Sequence, residues 1–443
     1  MISIFLIFDT SDDRRRLICL AGIAGLLATL YLFCIVKSQV SWQTVCWGVS
    51  FQFASGLVLI RWKWVNQQLV DVYKLCGEFM QYLSFGGDGI FGSLFQPTNP
   101  CDAFNDTLLS YFREIIAFGV LAAFLHHLNI ISTILQAMSF VTGIILGTTS
   151  LELFAAIASS LLGMKESVLL INQYLDKMTS SELNTLITVG LSSASSQILL
   201  NYTDFGVSSK YAISCSIMSI SSSLVCAKLV YPEITDNDKH IDERYRRPNS
   251  IPLVECLLQG ALSTAKVAIG VLACLVACIS LLSMISGIIE YLGMLIDFDS
   301  WSLQSLFSLV IFPAALLTGI IDSPDVMRLS KILGAKLALN DMEAMKIFGR
   351  IITGNSNFLH PRSLAISSFA LCTFPSLASL SIQLAMLTTL TPSRRQLFCR
   401  LAPGLCWRSR IFTPYCLYGW SSHQEPRVVF SVSANISMSK HHN

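Results

Sequence analysis

The sequence predicts an all-α polytopic membrane protein, and three observations carry that prediction. Of 443 residues, 53% are hydrophobic and only 13% charged, about half the ~25% charge of a soluble domain. Six windows, 17–36, 38–60, 184–203, 267–289, 300–321 and 363–393, contain no Asp, Glu, Lys or Arg. Each reaches the roughly 20 residues that take a helix across a hydrocarbon core. The mean hydropathy is +0.60, more apolar surface than a soluble chain of this size can hide in its interior. A soluble enzyme, a nucleic-acid binder and a disordered scaffold are disfavoured, and a formal charge of +2 points to no polyanionic partner.

Residues 1–16 form an N-terminal segment. The apolar run 1–8 is followed by Asp9, Asp12 and Asp13 where a signal peptide would carry small residues. A transmembrane helix pair occupies 17–60. Arg14, Arg15 and Arg16 lie before it and Arg61 and Lys63 after it, so both outer ends are expected on the cytoplasmic side. Across 61–107, Val65, Leu69, Val72, Leu75, Phe79 and Leu83 recur at helical spacing between charged positions. That predicts an interfacial amphipathic helix, broken at Gly86, Gly87, Gly89 and Gly92 and followed by a loop. Asn105-Asp-Thr107 is a glycosylation sequon in that loop.

The stretch 115–151 carries no Asp, Glu, Lys or Arg, only His126 and His127. No carboxylate or cysteine stands three or four residues from this pair, so it reads as two polar residues at a kink or a cavity wall rather than a metal site. Only twelve uncharged residues separate Glu152 from Lys165, too few for a normal span, and half-helices meeting near the bilayer midplane fit better. Ser192, Ser193, Ser195, Ser196 and Gln197 interrupt the next window. The second half repeats the pattern: 267–289 is a clean helix, Pro313 stands inside 301–321, Asp322, Pro324 and Asp325 follow, and Pro375 divides 363–390. Two hairpins, each followed by a broken helix, predict an inverted-repeat transporter with two re-entrant helical hairpins and broken transmembrane helices.

Charges at bilayer depth are functional candidates, because only a partner or a wet cavity makes them tolerable. Glu152, Glu166, Asp322 and Asp341 qualify; the bland alternative is that they sit at interfacial turns. Among the fourteen cysteines, Cys19, Cys34, Cys46, Cys215, Cys226, Cys274 and Cys278 lie in apolar runs without CxxC or Cys/His spacing and read as small buried hydrophobes. No GxSxG, Walker A or HExxH motif is present, so no catalytic residue, enzyme activity or ATP-driven pumping is expected and an ion gradient is the remaining power source. Beyond residue 390 seven basic residues stand against one acidic, a basic tail without an apolar window.

Specific stretches resemble a known family. They are VSWQTVCWGVSFQFASGLVLIR, GTTSLELFAAIASSLLGMKES, YLDKMTSSEL, AKLVYPE, LGAKLALNDMEA, SSFALCTF and TPSRRQ. In that order, over residues 16–396, the chain is similar to the concentrative (sodium-coupled) nucleoside transporters. The resemblance implies a homotrimeric, multi-pass protein of the plasma membrane in which a scaffold carries an elevator-like transport part. Such a protein moves nucleosides with sodium ions and uses no other cofactor. It divides the chain into scaffold helices at 108–146 and 204–302, a first hairpin and broken helix at 147–203, and a second pair at 303–390. The tail 391–443 lacks the family's last transmembrane helix. Hairpin one is expected at 147–176, hairpin two at 303–339, and the broken helices at 183–203 and 341–390.

Residue by residue, the family's tip Gly-Gln-Thr-Glu stands here as Gly163, Met164, Lys165 and Glu166, so the nucleobase is expected at Met164, Lys165 and Glu166. The family's ribose-binding Glu is Asp341 and its Asn is Ser376, with Phe374 and Ser379 kept. The sodium ligands implied are Ser159, the Leu162 carbonyl, Ser196 and Gln197. Lys165 is expected to repel sodium or to pair with Glu166. Two other readings stay open: a transporter of another small polar solute, an anionic one being suggested by Lys165, and a non-transporting membrane protein or truncated gene product.

Overall fold

A computed structural model describes residues 17–91, 103–145, 148–204, 207–234, 252–297, 301–316, 318, 320, 323–339, 341–353 and 361–401. Among the described residues the regular structure is entirely helical. Helices α1 (Leu17–Leu32) and α2 (Trp42–Arg61) form the N-terminal pair, joined by a short 3-10 turn at Lys37–Gln39. Trp62 takes an extended backbone at the end of α2, and α3 (Lys63–Phe91) departs at 97°.

α3 is the expected amphipathic helix with two differences. It runs through Gly86, Gly87 and Gly89 instead of breaking there, since a helix that satisfies its own backbone groups tolerates glycine at about 1 kcal/mol each. Its packed face is Asn66, Tyr73 and Met80, flanked by Val65 and Leu69, whereas Val72, Leu75 and Phe79 are exposed. The predicted stripe mixes the protein-facing side with an apolar outer side. The sequon 105–107 lies not in a loop but in the first turns of α4 (Ala103–His127). At Asn129, with φ of +56°, the chain bends by 69° into α5 (Ile130–Ile145). His126 thus stands beside a kink, as its sequence suggested, with Nε2 2.7 Å from the Leu170 carbonyl.

The re-entrant pattern follows. Hairpin one is α6 (Ser150–Leu161) and α7 (Met164–Leu170), turned at Leu162 and Gly163. The first broken helix is α8 (Ser180–Ser192) and α9 (Ser196–Asp204), and α10 (Ser209–Val230) crosses behind it. α11 (Leu253–Leu295) has 43 residues, about 64 Å at 1.5 Å per residue, far longer than the window that announced it. It packs against α4 on one side and α16 on the other. Hairpin two is α12 (Leu303–Leu316), which contains Pro313, and α13 (Ser323–Ala338); Asp322 lies outside the described residues.

The expected second broken helix, 341–390, is more than one element. α14 (Asp341–Thr353) is separate, and the break divides α15 (Pro361–Thr373) from α16 (Leu377–Leu390) at Phe374–Ser376. The physical cause is Pro375, which lacks an N–H and pushes Phe374 out of helical conformation. Among the described residues three helices are long and apolar enough to cross a membrane, or up to five if each bent pair is one span. Much of α11 faces outward with apolar side chains, including Leu262, Ile269, Val276 and Leu281. The cysteines divide similarly: Cys34, Cys215 and Cys226 are buried and Cys278 is half-buried, but Cys46 and Cys274 are exposed on apolar outer faces. There a lipid-facing thiol costs no more than a buried one. The start of the basic tail belongs to the body. Phe398 is fully buried, and Arg394 donates to the carbonyls of Asp176 and Met178 at the foot of hairpin one.

Candidate functional site

The first hairpin ends at a glycine for a steric reason. Gly163 has φ of +131°, a conformation that side chains strongly disfavour. A Cβ there would stand 2.6 Å from Glu166 Oε2 and 2.8 Å from Ser195 Cβ. The tip therefore presses directly on the break between α8 and α9. Ser216 of α10 fastens the contact: its hydroxyl lies 3.1 Å from the Ser160 carbonyl and 3.3 Å from the Ala194 carbonyl. Tyr73 reaches the same place from α3, its hydroxyl 2.9 Å from Ser160 Oγ.

Three tip residues were expected to meet a solute. Met164 is half-buried and lies with Gln383 of α16 around Gly190 of α8. Glu166 is buried, and its Oε2 has no hydrogen-bond partner, an arrangement that costs free energy until a donor arrives. Lys165 pairs with Glu166, one of its two expected roles, but holds a second carboxylate closer. Its Nζ is 2.6 Å from Glu114 Oε2 on α4 and 3.8 Å from Glu166 Oε1, so its hydrogen-bonded counter-ion is Glu114 rather than Glu166. Sequence reading passed over Glu114 because it borders the uncharged stretch that begins at Ile115; its position on the inner face of α4 was the missing information.

The residues expected at sodium are partly gathered. Ser159 is fully buried and donates to Ser167 Oγ at 2.7 Å. Leu162 occupies the turn before Gly163. Ser196 opens α9, fully buried, with its Oγ unpartnered, while the Gln197 side chain lies outside the described residues. Ser195, one position earlier, is the serine that touches the tip. Among the described residues no three His, Cys, Asp or Glu side chains converge as metal ligands do.

At the second break, Ser376 and Ser379 bond chiefly to each other. Ser379 N donates to Ser376 Oγ and Ser376 N to Ser379 Oγ, both at 3.0 Å, a reciprocal cap that starts α16. Phe374 is buried in the break. Asp341 opens α14, about one-third exposed, 3.3 Å from the Nζ of Lys336. Lys336 is itself buried and bonds the Leu371 carbonyl near the end of α15 and, at 3.4 Å, the Tyr202 hydroxyl of α9. A cation at a helix C-terminus answers its exposed carbonyls and dipole. Lys336, Gln383 and Glu114 were missed by sequence reading, and only Lys336 and Glu114 carried a signal, as charges at the border of an apolar stretch, whereas Ser195 was among the serines that marked the break.

Glu152, by contrast, is consumed in structure. It caps α6 through the Thr149 N–H at 3.0 Å, accepts from Thr185 at 2.9 Å and pairs with Lys228 at 2.7 Å. Lys228 also reaches Ser181 at 3.1 Å and Glu233 at 3.7 Å. The AKLVYPE stretch therefore clamps α10 onto hairpin one and the broken helix.

Two re-entrant hairpins laid against two broken helices, with charged and unpartnered polar groups at the tip and breaks, define the architecture of a multi-pass, inverted-repeat membrane protein. Comparison with known proteins specifies it further. Residues 21–94 match the family model described as Na+ dependent nucleoside transporter N-terminus, and residues 211–413 the one described as Na+ dependent nucleoside transporter C-terminus. The chain belongs to that transporter family. It is 27% identical to the rat sodium/nucleoside cotransporter 2 over 90% of this chain and 61% of the relative. To the human sodium/nucleoside cotransporter 1 it is 26% identical over 90% of this chain and 62% of the relative. It thus spans about three-fifths of the length of these relatives. Among solved structures, an outward-facing CNTnw variant matches at a TM-score of 0.83 and 25% identity, covering 92% of this chain and 99% of that one. CNTnw in an inward-facing substrate-bound state matches at 0.70 with the same identity, covering 92% and 98%.

Proposed function

We propose that this chain is a sodium-coupled nucleoside symporter working by elevator-type alternating access. The observation that carries the reading is the meeting of the hairpin-one tip with the break of α8 and α9. It gathers Glu166, with an unpartnered carboxylate oxygen, and Ser195, and the adjoining Ser196 has an unpartnered hydroxyl. Buried acceptors of this kind stay costly until a donor or a cation satisfies them.

In this reading Glu166 accepts a hydrogen bond from the nucleobase, and Met164 and Lys165 wall that end of the site. Asp341 accepts from a sugar hydroxyl. Ser376 and Ser379 present the polar start of α16, and Phe374 packs against the solute. Sodium, carried as a co-substrate, takes hydroxyl and carbonyl oxygens from Ser159, Leu162, Ser196 and Gln197, the donor chemistry a small hard cation requires. The greater likeness to an outward-facing relative supports an outward-open resting arrangement in which solute and ion enter first. Assembly as a homotrimer in the plasma membrane belongs to the same reading, with the apolar outer face of α11 turned to lipid or to a neighbouring protomer.

Uptake of radiolabelled uridine and adenosine in cells expressing the chain, with surface expression measured, tests the reading. Saturable uptake that vanishes when sodium is replaced by choline is expected. Well-expressed protein that takes up neither nucleoside refutes it.

A further inference from the structure

We propose that Glu114 on α4 determines the selectivity of the hairpin tip. By neutralising Lys165 it leaves Glu166 available to an uncharged hydrogen-bond donor on the solute. The inference rests on the solute site proposed above.

Three buried ionisable groups meet here, at 6% exposure for Glu114, 8% for Lys165 and 3% for Glu166. Lys165 Nζ has a short, charge-assisted hydrogen bond to Glu114 at 2.6 Å, and Glu166 stands 3.8 Å away on the other side. Attraction falls with distance, and the direct hydrogen bond adds to the nearer pair. Glu166 Oε2 consequently remains without a donor although an ammonium is close by. With all three groups ionised the triad carries one net negative charge. An anionic solute is repelled by it, while a neutral N–H or O–H donor completes it. The groups come from separate elements, Glu114 from α4 and the other two from α7, so the charge of the tip is set by a residue outside the hairpin.

The test is a double-mutant cycle of Glu114→Gln and Lys165→Met. In Glu114→Gln the ammonium turns to Glu166 and occupies the acceptor. The uridine KM is expected to rise about 5- to 150-fold, the loss of one such bond, with Vmax per surface molecule little changed. The double variant removes the cation as well, frees Glu166, and returns KM toward the wild-type value. Wild-type protein is expected to discriminate against the 5-carboxylate derivative of uridine, and Glu114→Gln to narrow that discrimination, because the net charge of the tip rises by one. A change in Vmax or expression without a change in KM, or an unrescued KM, overturns the selectivity role.

Thermal melting of the purified protein in detergent supplies a readout independent of transport. Lys165→Met leaves two buried carboxylates without a cation and lowers Tm; Glu114→Gln, whose ammonium keeps Glu166, lowers it less, and the double variant, left with one buried carboxylate, melts above Lys165→Met. Additive effects in that cycle refute the ion pair. Absence of uptake by well-expressed wild-type protein sinks the nucleoside site and with it the selectivity role, while melting still decides the pair.

Discussion

Replacing Lys228 by Met tests how much of this fold hangs on one buried cation. Glu152 is wholly buried and Lys228 6% exposed, with 2.7 Å between their charged atoms. At an effective dielectric constant of about 20 their attraction is about 6 kcal/mol, most of which offsets the desolvation of both groups. Removing the ammonium alone leaves the desolvation of Glu152 standing, answered only by the Thr149 N–H and the Thr185 hydroxyl. Stranding a charge in this way costs about 3–5 kcal/mol. An unfolding entropy of about 2.1 cal/mol/K per residue over 443 residues gives about 1 °C per kcal/mol, hence a Tm lower by about 3–5 °C. The assay is melting of detergent-solubilised protein followed by size-exclusion chromatography. Lys228→Met with Glu152→Gln is expected to recover most of the loss, because the carboxamide still accepts from Thr185. A single variant within 1 °C of wild type, or a double no better than the single, refutes the clamp.

Three further outcomes follow from the geometry. Gly163→Ala imposes about 1–3 kcal/mol of backbone strain and thrusts a methyl group against Glu166 and Ser195; uptake should be abolished while membrane insertion, checked by surface biotinylation, persists. Lys336→Met frees the Leu371 carbonyl and unpairs Asp341, so both Tm and uptake fall; Asp341→Asn should raise the nucleoside KM by about 5- to 150-fold and also lower Tm, because it leaves the buried Lys336 without its counter-ion. Arg394→Ala releases the carbonyls of Asp176 and Met178, and limited proteolysis should cut near residue 177 at least several-fold faster than in wild type.

The helices were legible because their cause is local. Long uncharged windows fixed α1, α2 and α11, and the polar interruptions at Ser192–Ser196 and at Pro375 fixed the two breaks, since a released carbonyl or a missing N–H acts on its own neighbours. The glycines of α3 misled for the same reason. Their conformational freedom is real, but a helix that closes its own hydrogen bonds has little use for it. The apolar stripe of α3 misled differently, because a helix between protein on one side and an apolar medium on the other shows hydrophobic residues to both, and periodicity then marks no single face.

What sequence could not supply was pairing across distance. From their own sequence surroundings Glu152 and Glu166 give the same local signal, a carboxylate inside apolar sequence near a hairpin, and only the family resemblance singled out Glu166 for the solute. Their surroundings separate them. Glu152 has a capping N–H, a hydroxyl and an ammonium from residue 228. Glu166 has a lysine beside it that bonds elsewhere. No property of residues 147–170 encodes that difference; it depends on where α4 and α10 place Glu114 and Lys228. A buried carboxylate becomes a structural clamp when the fold brings it a counter-ion, and stays open to a solute when the fold brings that counter-ion a second carboxylate.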